Sequence, residues 1–151
     1  MKTINVRPVE ISGRCRANLT LDDEFQIRGT RLENPRQSNL CCLALAHLPP
    51  IISQLQRENH FFAHVCCPEC LSLPDRENRV VFLLGHADKW ELCQAISKYR
   101  RLCRQYGEEP QAARQSKAAA SQYQKQGDYS KALEEMSAAL EQLKGATVSS
   151  Q

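Results

Sequence analysis

No apolar run in the sequence approaches the roughly 20 residues that a membrane-spanning helix needs. The longest, Leu40 to Ile52, is broken by His47 and by Pro49-Pro50. Glycine is scarce, with six residues scattered singly, which excludes collagen-like repeats and a glycine-rich phosphate loop. Aromatic side chains are few as well: one Trp, four Tyr and four Phe in 151 residues. A core must therefore lean on Leu, Ile, Val, Ala and Cys. An excess of one charge is also missing. Twenty Lys and Arg stand against 17 Asp and Glu, a formal +3, too mild to make nucleic acid or an acidic lipid surface an obligatory partner. The Met1–Glu10 start has no apolar segment of the secretory kind, so the expectation is a cytoplasmic chain. Neither Gly-x-Ser-x-Gly nor His-Glu-x-x-His is present, so classical hydrolase chemistry finds little support in the sequence.

Cysteine is what the sequence does have, eight in all. In a reducing compartment clustered thiols serve as metal ligands, redox groups or small buried apolar residues rather than as disulfides. Their distribution divides the chain. Residues 1–86 hold six of the eight cysteines, all four histidines and six of the seven prolines, whereas residues 87–151 are rich in Ala, Gln, Glu, Lys and Leu. The expected fold is α+β. A small antiparallel sheet with one packed helix fills residues 1–86, and an all-α three-helix segment fills residues 87–151.

In the first part Thr3–Ile11 reads as a strand. Its apolar alternation slips by one at Pro8, which predicts a bulge or an edge position. Glu24–Arg31 reads as a second strand, with Gly29 and Asn34-Pro35 marking a loop. Leu40–Glu58 has helical periodicity through Leu43, Leu48, Ile51, Ile52 and Leu55, and Pro49-Pro50 is expected to kink or restart it. Phe61–Val65 and Val80–Leu84 read as short strands. In the second part Asp88 is the expected N-cap of a helix running to about Tyr106. Leu92, Ile96, Tyr99, Cys103 and Tyr106 form its seam, with Cys93 beside it, so Cys93 and Cys103 read as packing. Helices over Gln111–Gln126 and Tyr129–Lys144 meet at Gly127-Asp128, and Gly145–Gln151 is expected to fray. Lys98, Arg100, Arg101 and Arg104 read as the solvated face of the first of these helices.

The clearest chemical signal is Cys67-Pro68-Glu69-Cys70. Two thiolates three apart on a tight turn can face one tetrahedral cation. That pair supplies two ligands of the four a closed site needs. Cys15, Cys41, Cys42 and Cys66 are the candidates for the rest, converging from separate elements on zinc or on an iron–sulfur cluster. His47, His60 and His64 are further candidates, but they read as packed or solvated because none pairs with a cysteine at short ligand spacing. Two other readings stay open. The adjacent pairs Cys41-Cys42 and Cys66-Cys67 could alternate, one thiol packed inward and one outward. A Cys67/Cys70 dithiol could also cycle, although no helix follows it to lower a thiol pKa.

Two resemblances add to this. With Gly13 and Cys15, Asp23-Glu24-Phe25, Cys41 or Cys42, Cys66-Cys67-Pro68, Pro74-Asp75 and Val80-Val81-Phe82, residues 3–84 resemble a family of short uncharacterised prokaryotic cysteine-containing proteins. That resemblance implies a compact α+β fold with cysteines in three recurring places, and no established reaction. The chain departs from the pattern in lacking a proline after Cys41-Cys42 and in an insertion over Glu69–Leu73 that adds Cys70. Residues 118–140, through Tyr123, Gly127, Tyr129, Ala132, Met136 and Ala139, resemble one tetratricopeptide repeat. A single such hairpin must bury its seam on the preceding helix, the cysteine domain, a second copy or another protein. The functional expectation is a non-catalytic adaptor with a cysteine-ligated metal or cluster and a helical segment that docks on a larger protein or complex. The alternative is a redox or electron-transfer protein using an iron–sulfur cluster or the Cys67/Cys70 dithiol.

Overall fold

The computed structural model describes residues 2–13, 15, 17–34, 37, 39–57, 60–68, 79–107 and 109–148. The chain divides into two compact units, Met1–Trp90 and Glu91–Gln151.

The first unit is a five-stranded sheet with one helix. Strands β1 (Thr3–Ser12), β2 (Phe25–Arg28) and β3 (Arg31–Glu33) come first, followed by helix α1 (Cys42–Arg57) and strands β4 (Phe62–Cys66) and β5 (Arg79–His86). The spatial order is β3-β2-β1-β5-β4, and every neighbouring pair is antiparallel. The slip in β1 is a bulge. Pro8 lies opposite Phe82 and Glu10 opposite Val81, so one extra residue enters the strand. That insertion returns Ile11 to the face already occupied by Ile4 and Val6. The β1–β2 register ends at Val6, so Pro8, which has no amide hydrogen to give, sits beyond that ladder.

The second strand of the sequence reading is a hairpin. β2 and β3 pair through Arg28 and Arg31 across the two-residue turn Gly29-Thr30. Gly29 has φ 66°, the left-handed position that glycine fills most readily at the head of such a turn. β3 escaped notice because Arg31, Leu32 and Glu33 are all exposed and carry no buried alternation.

Helix α1 covers the sheet with Ala44, Leu48, Ile52 and Leu55, spaced four, four and three apart on one face. These cluster with Ile4, Val6, Phe25, Val80, Phe82 and Leu84 from the strands. Each large aliphatic side chain buried there contributes about 1.5–3 kcal/mol. Leu43, expected on this face, is 44% exposed, and Ala44 takes its place. Helix α1 also runs unbroken through Pro49 and Pro50 rather than restarting. Both prolines are exposed, and of the two carbonyls they leave without a helical donor, that of Ala46 belongs to an exposed residue where water can serve.

The second unit holds α2 (Trp90–Tyr106, its first residue in the first unit), α3 (Gln111–Gln126) and α4 (Tyr129–Val148). A 3-10 turn over Ala87–Lys89 precedes α2. Asp88 lies inside that turn rather than capping the helix, because the chain begins to coil directly after β5. The α2 seam is Leu92, Cys93, Ile96, Ser97 and Tyr99. Cys93 is therefore inside it, whereas Tyr106 is 43% exposed at the last residue of the helix. Gly127 ends α3 at φ 80°, and the backbone N–H of Asp128 donates to the Tyr123 carbonyl at 2.9 Å. The Asp128 carboxylate then accepts from the Lys131 backbone N–H at 3.2 Å, capping α4. Ala113, Ala120, Ala132 and Ala139 are all buried, small enough for α3 and α4 to approach closely. α4 continues past Lys144 and through Gly145, where fraying was expected; residues 149–151 lie outside the described residues.

Candidate functional site at the cysteine end of the sheet

Helix α1 and strand β5 share an orientation. The His86 Nε2 atom, at the end of β5, lies 2.8 Å from the Leu55 carbonyl oxygen. Phe62, which opens β4 shortly after α1 ends, pairs with Gly85. From Leu55 back to Cys42 the helix rises about 20 Å, and from His86 back to Val80 the strand also spans about 20 Å. The start of α1, with Cys41 and Cys42, thus returns to the end of the sheet where β5 begins. β1 finishes at that end, with Ile11 opposite Val80 and Ser12 opposite Arg79, and Cys15 follows three residues later. β4 finishes there too, with Cys66 opposite Val81. The Cys67 N–H donates to the Val80 carbonyl at 2.8 Å. Three segments distant in sequence therefore deliver their cysteines to one end of the unit.

Burial then sorts them. Cys67 is 3% exposed and belongs to the apolar cluster, and half-buried Cys15 and Cys41 pack against it. Cys42 is exposed. Cys66 is half-buried; since Ala63 and Val65 of β4 pack on the cluster, strand alternation puts Cys66 on the opposite face. Phe62 and His64 share that face, their rings 5.8 Å apart edge to face. Each adjacent pair thus has one thiol inward and one outward. None of Cys15, Cys41, Cys42, Cys66, Cys67, Cys93 and Cys103 is in a disulfide. Among the described residues no group of three or more His, Cys, Asp or Glu is arranged to hold a metal ion. Cys70, with the Glu69–Leu73 insertion and Pro74-Asp75, lies outside the described residues.

Of the histidines, His64 shares the outer face of β4 with Cys66, two residues away. His47 and His60 are exposed. His86 is 2% exposed; burial holds its pKa below 6.5, opposed by the Leu55 carbonyl and Asp88, while Lys2 and Lys89 reinforce the lowering.

Two polar constellations were not visible in the sequence. Asp23, next to exposed Asp22, is buried. Its Oδ2 accepts from the Thr20 backbone N–H at 2.6 Å and the Thr20 hydroxyl at 3.2 Å, and its Oδ1 from the Asn39 N–H at 2.9 Å. The Thr20-x-x-Asp23 spacing was the one available signal. In the second unit the Tyr99 hydroxyl donates to Glu109 Oε1 at 2.5 Å, and Lys117 Nζ donates to the same oxygen at 2.9 Å. Lys117 also lies 5.5 Å from the Tyr99 ring centroid, and Arg114 Nε is 3.5 Å from Glu109 Oε2. The Tyr99 hydrogen bond, with Lys117, holds the Glu109 carboxyl below its ordinary range, against the opposing effect of burial. Burial, together with the negative charge of Glu109, pushes the Cys103 thiol up, so Cys103 stays protonated and weakly reactive.

The protein is thus an α+β unit with cysteines on its loops and element ends, followed by a helical unit. No protein-family model, curated protein or solved structure matches the chain.

Proposed function

We propose that the chain is a non-catalytic accessory protein whose cysteine end binds one thiolate-ligated ion or cluster, zinc or iron–sulfur, and whose helical unit docks on a larger protein. The observation that carries this reading is that Cys15, Cys41 and Cys67, from three separate segments, meet the same apolar cluster at one end of the sheet. Thiols are the donors that both zinc and iron–sulfur clusters select. Cys15, Cys41 and Cys67 are the inward set, and Cys70, three residues after Cys67, is the natural fourth ligand. Cys42 and Cys66 point elsewhere and are spare.

The docking part is narrower than the sequence suggested. Among the described residues the large apolar side chains that stand exposed are Leu21, Leu32, Leu43 and Tyr106, none of them in α3 or α4. The hairpin's buried positions include Met136, Leu140 and Leu143, while Tyr123 and Tyr129 are half-buried. A partner would accordingly meet polar surface, such as the exposed Lys98, Arg100, Arg101 and Arg104 of α2. Among the described residues no helix is long and apolar enough to cross a membrane.

Anaerobic purification followed by metal analysis and an absorption spectrum tests the reading. A colourless protein with stoichiometric zinc supports the accessory role with a closed structural site. A coloured, reducible cluster transfers the same residues to electron transfer. Absence of both zinc and iron, with thiols inert to alkylation while folded, overturns it. A native mass of one chain without any co-purifying protein removes the docking part.

A further inference from the structure

The two cysteine-bearing loops that reach the sheet end are joined by one buried carboxylate. Asp23 Oδ2 closes the Thr20–Asp23 turn, and Asp23 Oδ1 takes the backbone N–H of Asn39, two residues before Cys41. The return link runs from Asn39 Nδ2 to the Asn18 carbonyl at 3.0 Å. Asn18, held at φ 51°, in turn donates its N–H to the Cys15 carbonyl at 3.1 Å. The chain of bonds therefore begins at Cys15, passes through Asn18, Asn39 and Asp23, and leaves Asn39 beside the start of α1. Arg7 of β1 ties the same loop down, donating to the Leu21 carbonyl at 2.5 Å.

We infer that Asp23 is a positioning residue for the cysteine site: its carboxylate locks the Cys15 loop to the Cys41 segment, so that both thiols stay against the cluster that holds Cys67. The inference rests on the thiolate-site reading for its purpose, not for its geometry. Asp23 offers an acceptor on each oxygen, one to the Thr20 N–H and one to the Asn39 N–H. Asparagine has the same shape but turns an NH2 group toward one of them. Groups that orient ligands without touching the metal typically cost 10- to 100-fold in affinity when replaced.

The test compares wild type, Asp23→Asn and Ile52→Val in the full chain. The last variant trims a buried residue in the middle of α1 and serves as a control for general loss of stability. Cobalt(II) titration reads thiolate coordination through its sulfur-to-metal charge-transfer band, and mass-mapped alkylation of the folded chain reads Cys15 and Cys41 separately. Asp23→Asn is expected to weaken cobalt binding about ten-fold and to speed alkylation of Cys15 and Cys41, with Cys103 unchanged and Ile52→Val close to wild type. Equal behaviour of Asp23→Asn and wild type, or an Ile52→Val effect as large as that of Asp23→Asn, overturns the inference. If wild type itself binds no cobalt, the thiolate-site reading fails, and the alkylation rates alone decide whether Asp23 positions the two loops.

Discussion

The two units solve the problem of scarce aromatics in opposite ways. The sheet unit fills its interior with long side chains, Ile4, Leu48, Phe82 and Leu84 among them, each at 1% exposure or less. The helical unit brings α3 and α4 together on alanines, with Ala113, Ala132 and Ala139 at 0%. One interior depends on volume being present, and the other on volume being absent. The cysteines follow the same division. The described ones of the sheet unit, Cys15, Cys41, Cys42, Cys66 and Cys67, lie on loops and element termini, whereas Cys93 is buried in the α2 seam and Cys103 lies half-buried beside Tyr99.

The largest expected effect comes from truncating the sheet unit. Leu48→Ala opens a cavity under α1 and should lower stability by about 2–5 kcal/mol, read by chemical denaturation. The reverse change probes the other unit. Ala139→Leu forces extra volume between close helices and should cost about 1–3 kcal/mol; a neutral result would show that α3 and α4 separate easily. Tyr99→Phe keeps the seam but removes the hydroxyl that donates to Glu109, at a cost of about 1.5 kcal/mol.

The smallest effect is a pH dependence confined to the sheet unit. His86 is held neutral by burial, with its pKa below 6.5. The unfolded chain therefore takes up the proton first, and stability is complete above about pH 6.5 and declines as the pH falls through the lower folded value. His86→Gln should flatten that slope, measured as the unfolding midpoint across pH 5 to 7.5, a range of about one pH unit or more on either side of the ordinary histidine value.

Much of this contrast is legible in the sequence, and the exceptions are instructive. The slip at Pro8 announced the β1 bulge because side-chain alternation has a strict period of two. Gln111–Gln126 and the Gly127-Asp128 junction were readable because glycine and a capping aspartate punctuate helices plainly. β3 was hidden because its three residues face solvent, and only the Gly29-Thr30 pair hinted at a turn. The prolines of α1 misled because the rule against them assumes that their lost hydrogen bonds must be made within the protein. The exchange of Leu43 for Ala44 shows that periodicity locates a buried face only to within about one residue's rotation, 100° on a helix.

The site was legible in a different measure. Adjacent cysteines must diverge on a strand and at a helix start, so the inward–outward split of Cys66-Cys67 and Cys41-Cys42 could be foreseen. Which member points inward could not, because that depends on the strand register opposite Val80 and on the rotation of α1. Asp23 was hidden for a related reason. Asp22 and Asp23 are chemically identical in the sequence, and beyond the Thr20-x-x-Asp23 spacing it is the return of Asn39 to the same loop that distinguishes the buried one.

The proposed site uses the inward thiols and not the outward ones. The most direct measurement is the metal content and absorption spectrum of anaerobically purified Cys67→Ser beside Cys66→Ser. Loss of bound zinc or iron in Cys67→Ser, with Cys66→Ser retaining the wild-type content, is the predicted result. Equal content in the two variants, or a wild type that carries neither metal, would contradict it.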